Sequence, residues 1–167
     1  RRHSSAASDV YKRQLFWQYN EESNSIASIV KHMHGNMMSR WTDFLTSDGE
    51  KEWRKRDAEF ENDIQNKAEL ISKWNEGWEC LFNAIQPLTE ADLNKEIYIR
   101  NMGHSVVEAI NRQLAHYSYH VGQIVFIGKM IADESWNSLS IPKGGSNAYN
   151  QEKFSKPKRK EHFTDDL

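Results

Sequence analysis

Three stretches of the chain space their apolar residues three and four apart, the repeat that lines up one face of an α-helix. The first runs from about Asn24 to Thr46 and carries Ile26, Ile29, Val30, Met33, Met37, Trp41 and Phe44. Asn24 or Ser25 offers a side-chain oxygen to its free N–H groups, and Ser47-Asp48-Gly49 stops it. The second runs from about Asp57 to Ile85, with Phe60, Ile64, Ala68, Ile71, Trp74, Trp78, Leu81, Phe82 and Ile85 on its apolar face. Pro87 ends it, because the residue before a proline avoids the helical region. Thr89 and Asp92 then suggest one short turn, and Glu96 to Arg100 alternates like an extended piece. The third helix opens at Ser105, with Glu108 three residues on as a capping box. Its stripe is Val107, Ile110, Leu114, Tyr117, Val121, Ile124, Gly128 and Ile131. Three helices of this length, joined by short to moderate loops, predict an all-α antiparallel bundle.

The ends do not share this pattern. Residues 1–14 have neither helical nor strand period and no secretory h-region; RRHSSAASDVYKRQ reads as a non-native or disordered head. Residues 134–167 read as an irregular polar tail, leaving 15–133 as the bundle. In that tail Pro-Lys-Gly-Gly-Ser is a turn signal without the amphipathic helix that a phosphate loop needs, and KFSKPKRK reads as a solvated basic cluster. Composition sharpens the division. The 167-residue chain is 38% hydrophobic, below the roughly 45–50% of an ordinary domain, yet 51 of the 119 positions from Leu15 to Asp133 are hydrophobic. The low average belongs to the ends.

Charge and cysteine content exclude several classes. Lys and Arg number 22 against 24 Asp and Glu, so no general nucleic-acid binder is expected, since that role needs clustered positive charge. No run of about 18 apolar residues exists, which argues against a membrane span. A single Cys excludes a disulfide framework and a Cys-rich zinc site. The expected protein is soluble and cytoplasmic.

The histidines carry the candidate chemistry. His116 and His120 stand four apart in LAHYSYHVGQ, inside the third helix. That spacing stacks both imidazoles on one face, within reach of one ion, and neutral imidazole is the commonest metal ligand. The similarity to a zinc-protease motif stops at the spacing, because the glutamate base of that motif is Tyr117 here. A two-histidine site needs another donor, and the first helix offers His32 and His34. Two residues on a helix differ by roughly 200° in direction, so both cannot hold one ion, and periodicity does not choose between them. His104 is remote, about 18 Å along the helix from His116. Asp43 and Glu108 are weaker candidates, better read as surface or capping residues.

IVKHMHGNM, then SRWTDFLTSDGE, then INRQLAHYSYHVGQIV closely resemble the DinB/YfiT-like superfamily of bacterial four-helix metalloproteins, most nearly a subfamily without an established function. The resemblance extends from about Leu15 to Asn150, and HYSYHVGQ is its most specific part. That family has one ligand histidine on its second helix and an H-x3-H pair on its fourth, followed by x-Gly-Gln. The resemblance therefore implies His32, His116 and His120 as the metal ligands, Gly122-Gln123 as the trailing pair, and His34 as a neighbour outside the ligand set. It also implies that three of four long helices are present and that the first is missing. Part of the apolar face would then stand open, which favours association or low stability; restoring a leading helix is expected to raise the thermal midpoint.

Three histidines with an open fourth position suit a catalytic metal rather than a structural one. Zinc is the expected ion, with nickel, manganese or iron compatible with the same donors. Such an ion can activate water for hydrolysis or hold a thiol as thiolate. Relatives in the superfamily include S-transferases and isomerases that use low-molecular-weight thiols, so the resemblance leans toward thiol chemistry on a small substrate. Arg112 and Gln123, on the histidine side of the third helix, and Asn36, one turn after His32, are candidates for supporting or substrate-contact roles. The competing expectation is a non-catalytic, metal-stabilised interaction module, a homodimer in which Trp41, Trp74 and Trp78 pack between subunits.

Overall fold

The structure, a computed structural model, describes residues 14–61, 63–64 and 66–160. The expected head, apart from residue 14, lies outside the described residues. The chain falls into two compact units, one ending at Ile131 and the other beginning at Ala132.

The first unit is predominantly helical. Helix α1 spans Ile26–Trp41. Ser25 starts it by accepting the Ser28 N–H on its hydroxyl at 3.1 Å, as an N-cap should. The helix stops before the expected Thr46, because Thr42 leaves the helical region and Asp43 takes a positive φ of 48°. The Asp43 carbonyl then collects the N–H groups of Thr46 and Ser47. Ile29, Val30, Met33, Met37, Trp41 and Phe44 are all buried, as the stripe requires.

The expected second helix is broken. Asp57–Phe60 forms a separate 3-10 turn, and α2 begins only at Lys67 and runs to Ile85. Asn66 caps it, its side-chain oxygen accepting the Glu69 N–H at 2.9 Å. Lys31 on α1 holds the 3-10 turn in place by donating to the Ala58 and Glu61 carbonyls. On α2 Leu70, Gly77 and Leu81 are buried, so Leu81 lies on the inner face as read, whereas Ile71 and Phe82 are each 47% exposed.

The connection to the next helix matches its reading in the short turn and in the extended piece from Glu96, but adds a second strand, and so a small hairpin, to the expected all-α architecture. Thr89 and Asp92 cap a short 3-10 turn at Glu90–Asp92, and strands β1 (Glu96–Ile99) and β2 (Met102–Ser105) pair antiparallel. Their two-residue turn places Arg100 and Asn101 at φ 56° and 59°, the left-handed pair that a tight hairpin demands. Asp48 steadies it by accepting both backbone N–H groups at 2.8 Å. Ile97 and Ile99 enter the core.

Helix α3 spans Val106–Ala132. Ser105 and Glu108 form the expected box, the Ser105 N–H donating to Glu108 at 2.7 Å and the Glu108 N–H to Ser105 at 3.2 Å. The buried face of α3, however, is Val106, Ala109, Gln113, Tyr117, His120 and Ile127. Val107, Leu114 and Val121, read as stripe residues, are exposed. The polar residues Gln113 and His120 occupy core-facing positions, and a purely apolar reading of the period rotates the face away from them. Leu114 and Val121 instead wall an apolar groove of about 570 Å³ opposite Trp78 and Phe82 of α2.

The second unit contains α4, Ser146–Phe154, within the stretch expected to be irregular. It follows directly on Gly144-Gly145, and none of its residues is buried.

Candidate metal centre

Helices α1 and α3 bring His32, His116 and His120 together. The three ring nitrogens that face one another all lie within 4.8 Å. His116 Nε2 is 3.4 Å from His32 Nε2 and 3.1 Å from His120 Nε2. Donors held about 2.0–2.1 Å from a tetrahedral ion stand roughly 3.3 Å apart, so these two separations match neighbouring ligands of a single cation. His32 and His120 are buried and His116 is partly covered. Phe60 stacks on the His32 ring at 5.0 Å and closes one side.

Two of the remaining ring nitrogens, those of His32 and His120, are held in place. His32 Nδ1 lies 2.8 Å from Glu59 Oε2. Glu59 is itself buried, which alone would raise its carboxyl, but hydrogen bonds from His32 and Arg54 pull it below the usual range. An ionised carboxylate only accepts, so Nδ1 carries the proton and Nε2 presents its lone pair to the centre. Arg54 fixes the carboxylate from behind through Nε at 2.7 Å and Nη2 at 3.0 Å. Glu59 reaches this position because residue 35 is glycine: a Cβ there would stand 2.7 Å from Glu59 Cδ. His120 Nδ1 donates to Gln123 Oε1 at 2.8 Å, and Gln123 Nε2 donates to the Tyr119 hydroxyl at 3.0 Å. Such outer partners set tautomer and ring orientation at metal sites.

Burial, followed by the neighbouring His120 and His32, lowers the His116 pKa to about 4. Burial and His32 also lower His120, against a hydrogen bond to Gln123 that raises it. Both imidazoles are neutral near pH 7, the form that binds a cation.

The other sequence candidates divide. Gln123 touches His120 directly. Asn36 Oδ1 accepts from the Tyr117 hydroxyl at 3.3 Å, and that hydroxyl accepts from Trp41 Nε1 at 3.0 Å. Arg112 faces His104, with Nη1 3.1 Å from Nε2. Asn36 and Arg112 nevertheless line a cavity of about 190 Å³ that includes His32 and His116. His34 points elsewhere, 2.9 Å from Glu76, and Glu108 is occupied in its cap. Asp43 serves the turn after α1 through its carbonyl. Glu59 and Arg54 are the residues the sequence reading missed. The glycine one turn along α1 from Lys31 and beside His34 is the trace they leave in the sequence, since Gly35 is where the carboxylate passes.

The chain matches the family described as Protein of unknown function (DUF1572) over residues 2–145 and belongs to that family. No curated protein and no solved structure matches it. Among the described residues, no helix is long and apolar enough to cross a membrane.

Proposed function

We propose that the chain is a metal-dependent enzyme, a DinB/YfiT-like helix bundle in which His32, His116 and His120 hold one divalent ion. The observation that carries this reading is the convergence of three imidazole nitrogens whose opposite edges, at His32 and His120, are tied to Glu59 and Gln123. Zinc is the first choice, and nickel, manganese or iron suit the same donors. When bound, such an ion acts as a Lewis acid that activates water or holds a thiol as thiolate. The resemblance favours thiol-dependent transfer, with hydrolysis as the other chemistry. A low-molecular-weight thiol is then a cosubstrate and a small molecule the substrate. The chain's own residues prepare the site: Glu59 keeps the proton on His32 Nδ1, Gln123 orients His120, and Phe60 excludes water from one side. The cavity beside His32 and His116 leaves room for a substrate. We place the protein in the cytoplasm, without nucleic-acid partners. The test is turnover by metal-loaded protein against a panel of thiols with electrophiles and of hydrolysable esters and amides. Metal-dependent activity that disappears in His116→Ala supports the proposal; a folded, metal-loaded protein inert to the whole panel counts against it.

A specific observation favours a second reading. The groove walled by Trp78, Phe82, Leu114 and Val121 leaves large apolar side chains open, as a metal-stabilised dimerisation module would. Unfolding on removal of the metal, with no turnover, would favour this structural role over a catalytic one.

A further inference from the structure

The cavity next to the histidines has an unusual wall. Arg40, Arg54, Arg56, Arg100 and Arg112 all line it, together with His32 and His116. Two of these guanidinium groups are already committed. Arg54 donates to Glu59 and, through Nη1, to Glu50 at 3.1 Å. Arg100 Nη2 meets the same Glu50 oxygen at 3.2 Å.

Among the described residues, none of the other three has a carboxylate within hydrogen-bond distance, although Glu50 acts on Arg40 through its charge and Asp57 lies 4.0 Å from Arg56. Arg40 is 7% exposed, and its Nε and Nη1 are buried without a hydrogen-bond partner among the described residues. A buried donor left unpaired is costly, and more so when charged. Burial, and then the charge of Arg112, lowers the Arg40 pKa to about 10. Arg112 is exposed at the cavity, and among the described residues its hydrogen-bond contact is to the His104 ring. Arg56 is 4.0 Å from Asp57, whose side chain is fully exposed, too far for a hydrogen bond. Gln113, 3% exposed, lines the same space, with its Oε1 unpaired among the described residues. The guanidinium groups that face one small cavity repel one another, and Glu50 and Glu59 offset this only at Arg54 and Arg100 by direct contact. Planar guanidinium forks match carboxylate and phosphate oxygens.

We propose that this cavity is an oxyanion-binding subsite, in which Arg40, Arg112 and Arg56 receive a carboxylate or phosphate group of a small substrate and hold its reactive end toward the three histidines. The proposal rests on the metal-centre reading for what the substrate meets there, but binding of the anion rests on the arginines alone. The substrate class is thereby narrowed to small anionic molecules. An uncharged analogue of the same size binds at least tenfold more weakly.

The experiment titrates inorganic phosphate, and separately succinate, into the full chain by calorimetry at low ionic strength, before and after zinc loading. Zinc content is measured in parallel for every sample. Expected are saturable binding of at least one probe to wild type and a five- to twentyfold weakening in Arg112→Ala and in Arg56→Ala, with zinc content unchanged. Both variants alter exposed side chains and keep the fold; Arg40→Gln, buried, is accepted only if its melting curve is cooperative. Stronger binding of phosphate, or of succinate, identifies the anion class within the proposal. Anion binding that depends on these arginines in protein that takes up no zinc sustains the subsite and removes the metal centre. Zinc-loaded protein that binds neither probe, or binds them equally in all the arginine variants, overturns the subsite and leaves the metal centre standing.

Discussion

Replacing Glu59 by glutamine tests the support of the centre without replacing any of the three histidines. Glu59 Oε2 accepts from His32 Nδ1 at 2.8 Å and from Arg54 Nη2 at 3.0 Å, while Oε1 accepts from Arg54 Nε at 2.7 Å. All of these contacts use lone pairs of a carboxylate. In Glu59→Gln, one oxygen becomes an NH2 group. If that group faces His32, Nδ1 must give up its proton, which moves to Nε2 and blocks the lone pair aimed at the ion. An NH2 at that position also opposes Arg54 Nη2, and one at the Oε1 position opposes Arg54 Nε, donor against donor in a buried site. Loss of an outer partner of a ligand histidine costs 10–100-fold in metal affinity, or about 1.4–2.7 kcal/mol. The expected zinc affinity of Glu59→Gln is lower by that factor, read by competition with a chromophoric chelator at pH 7.5. Glu76→Gln, which alters only the partner of the uninvolved His34, is the control and leaves affinity within twofold. A folded Glu59→Gln with wild-type affinity would refute the reasoning that Glu59 sets the His32 tautomer.

Gly35→Ala is expected to act through the same carboxylate, because its Cβ would stand 2.7 Å from Glu59 Cδ; zinc affinity falls at least fivefold in the same competition assay, and an unchanged value would show that Glu59 has room to yield. For metal-free protein, thermal melts across pH should show stability falling as pH drops from about 6.5 to about 4. The sign follows from His116, held neutral in the fold with its pKa lowered to about 4, while the unfolded chain takes up a proton near 6.5; His120 shifts in the same direction. The loss from His116 ends below about pH 4, and a midpoint that is flat between pH 7 and 4.5 would contradict it. Tyr117→Phe removes the hydroxyl between Trp41 and Asn36 and leaves both without this partner, so chemical denaturation should show a loss of about 1–3 kcal/mol; a neutral substitution would mean that water replaces the hydroxyl.

Local signals made much of this molecule legible. The His116–His120 pair could be read because both sit on one uninterrupted helix, where four residues fix their relative direction. The caps at Ser25 and Ser105 and the turn at Thr89 and Asp92 are likewise decided within a few residues. His32 against His34 was not decided by period alone, and the resemblance to a known family supplied the choice. The break between Phe60 and Lys67 escaped the reading because an apolar period continues across it, while Lys31, 27 residues before Ala58, holds the turn from outside. Glu59 was invisible for the same reason: its role depends on the path of the chain between α1 and α2. The phase of α3 was missed because its core-facing side carries Gln113 and His120, residues that a search for apolar positions skips.

The most direct test of the central claim is metal stoichiometry in the purified full chain, measured by elemental analysis after zinc loading and removal of excess ion, beside His116→Ala and His120→Ala. One equivalent of tightly held zinc is expected in the wild type. Loss of that zinc is expected in either variant, with helical content by circular dichroism retained. Wild-type protein without bound metal, or variants that keep a full equivalent, would contradict the three-histidine centre.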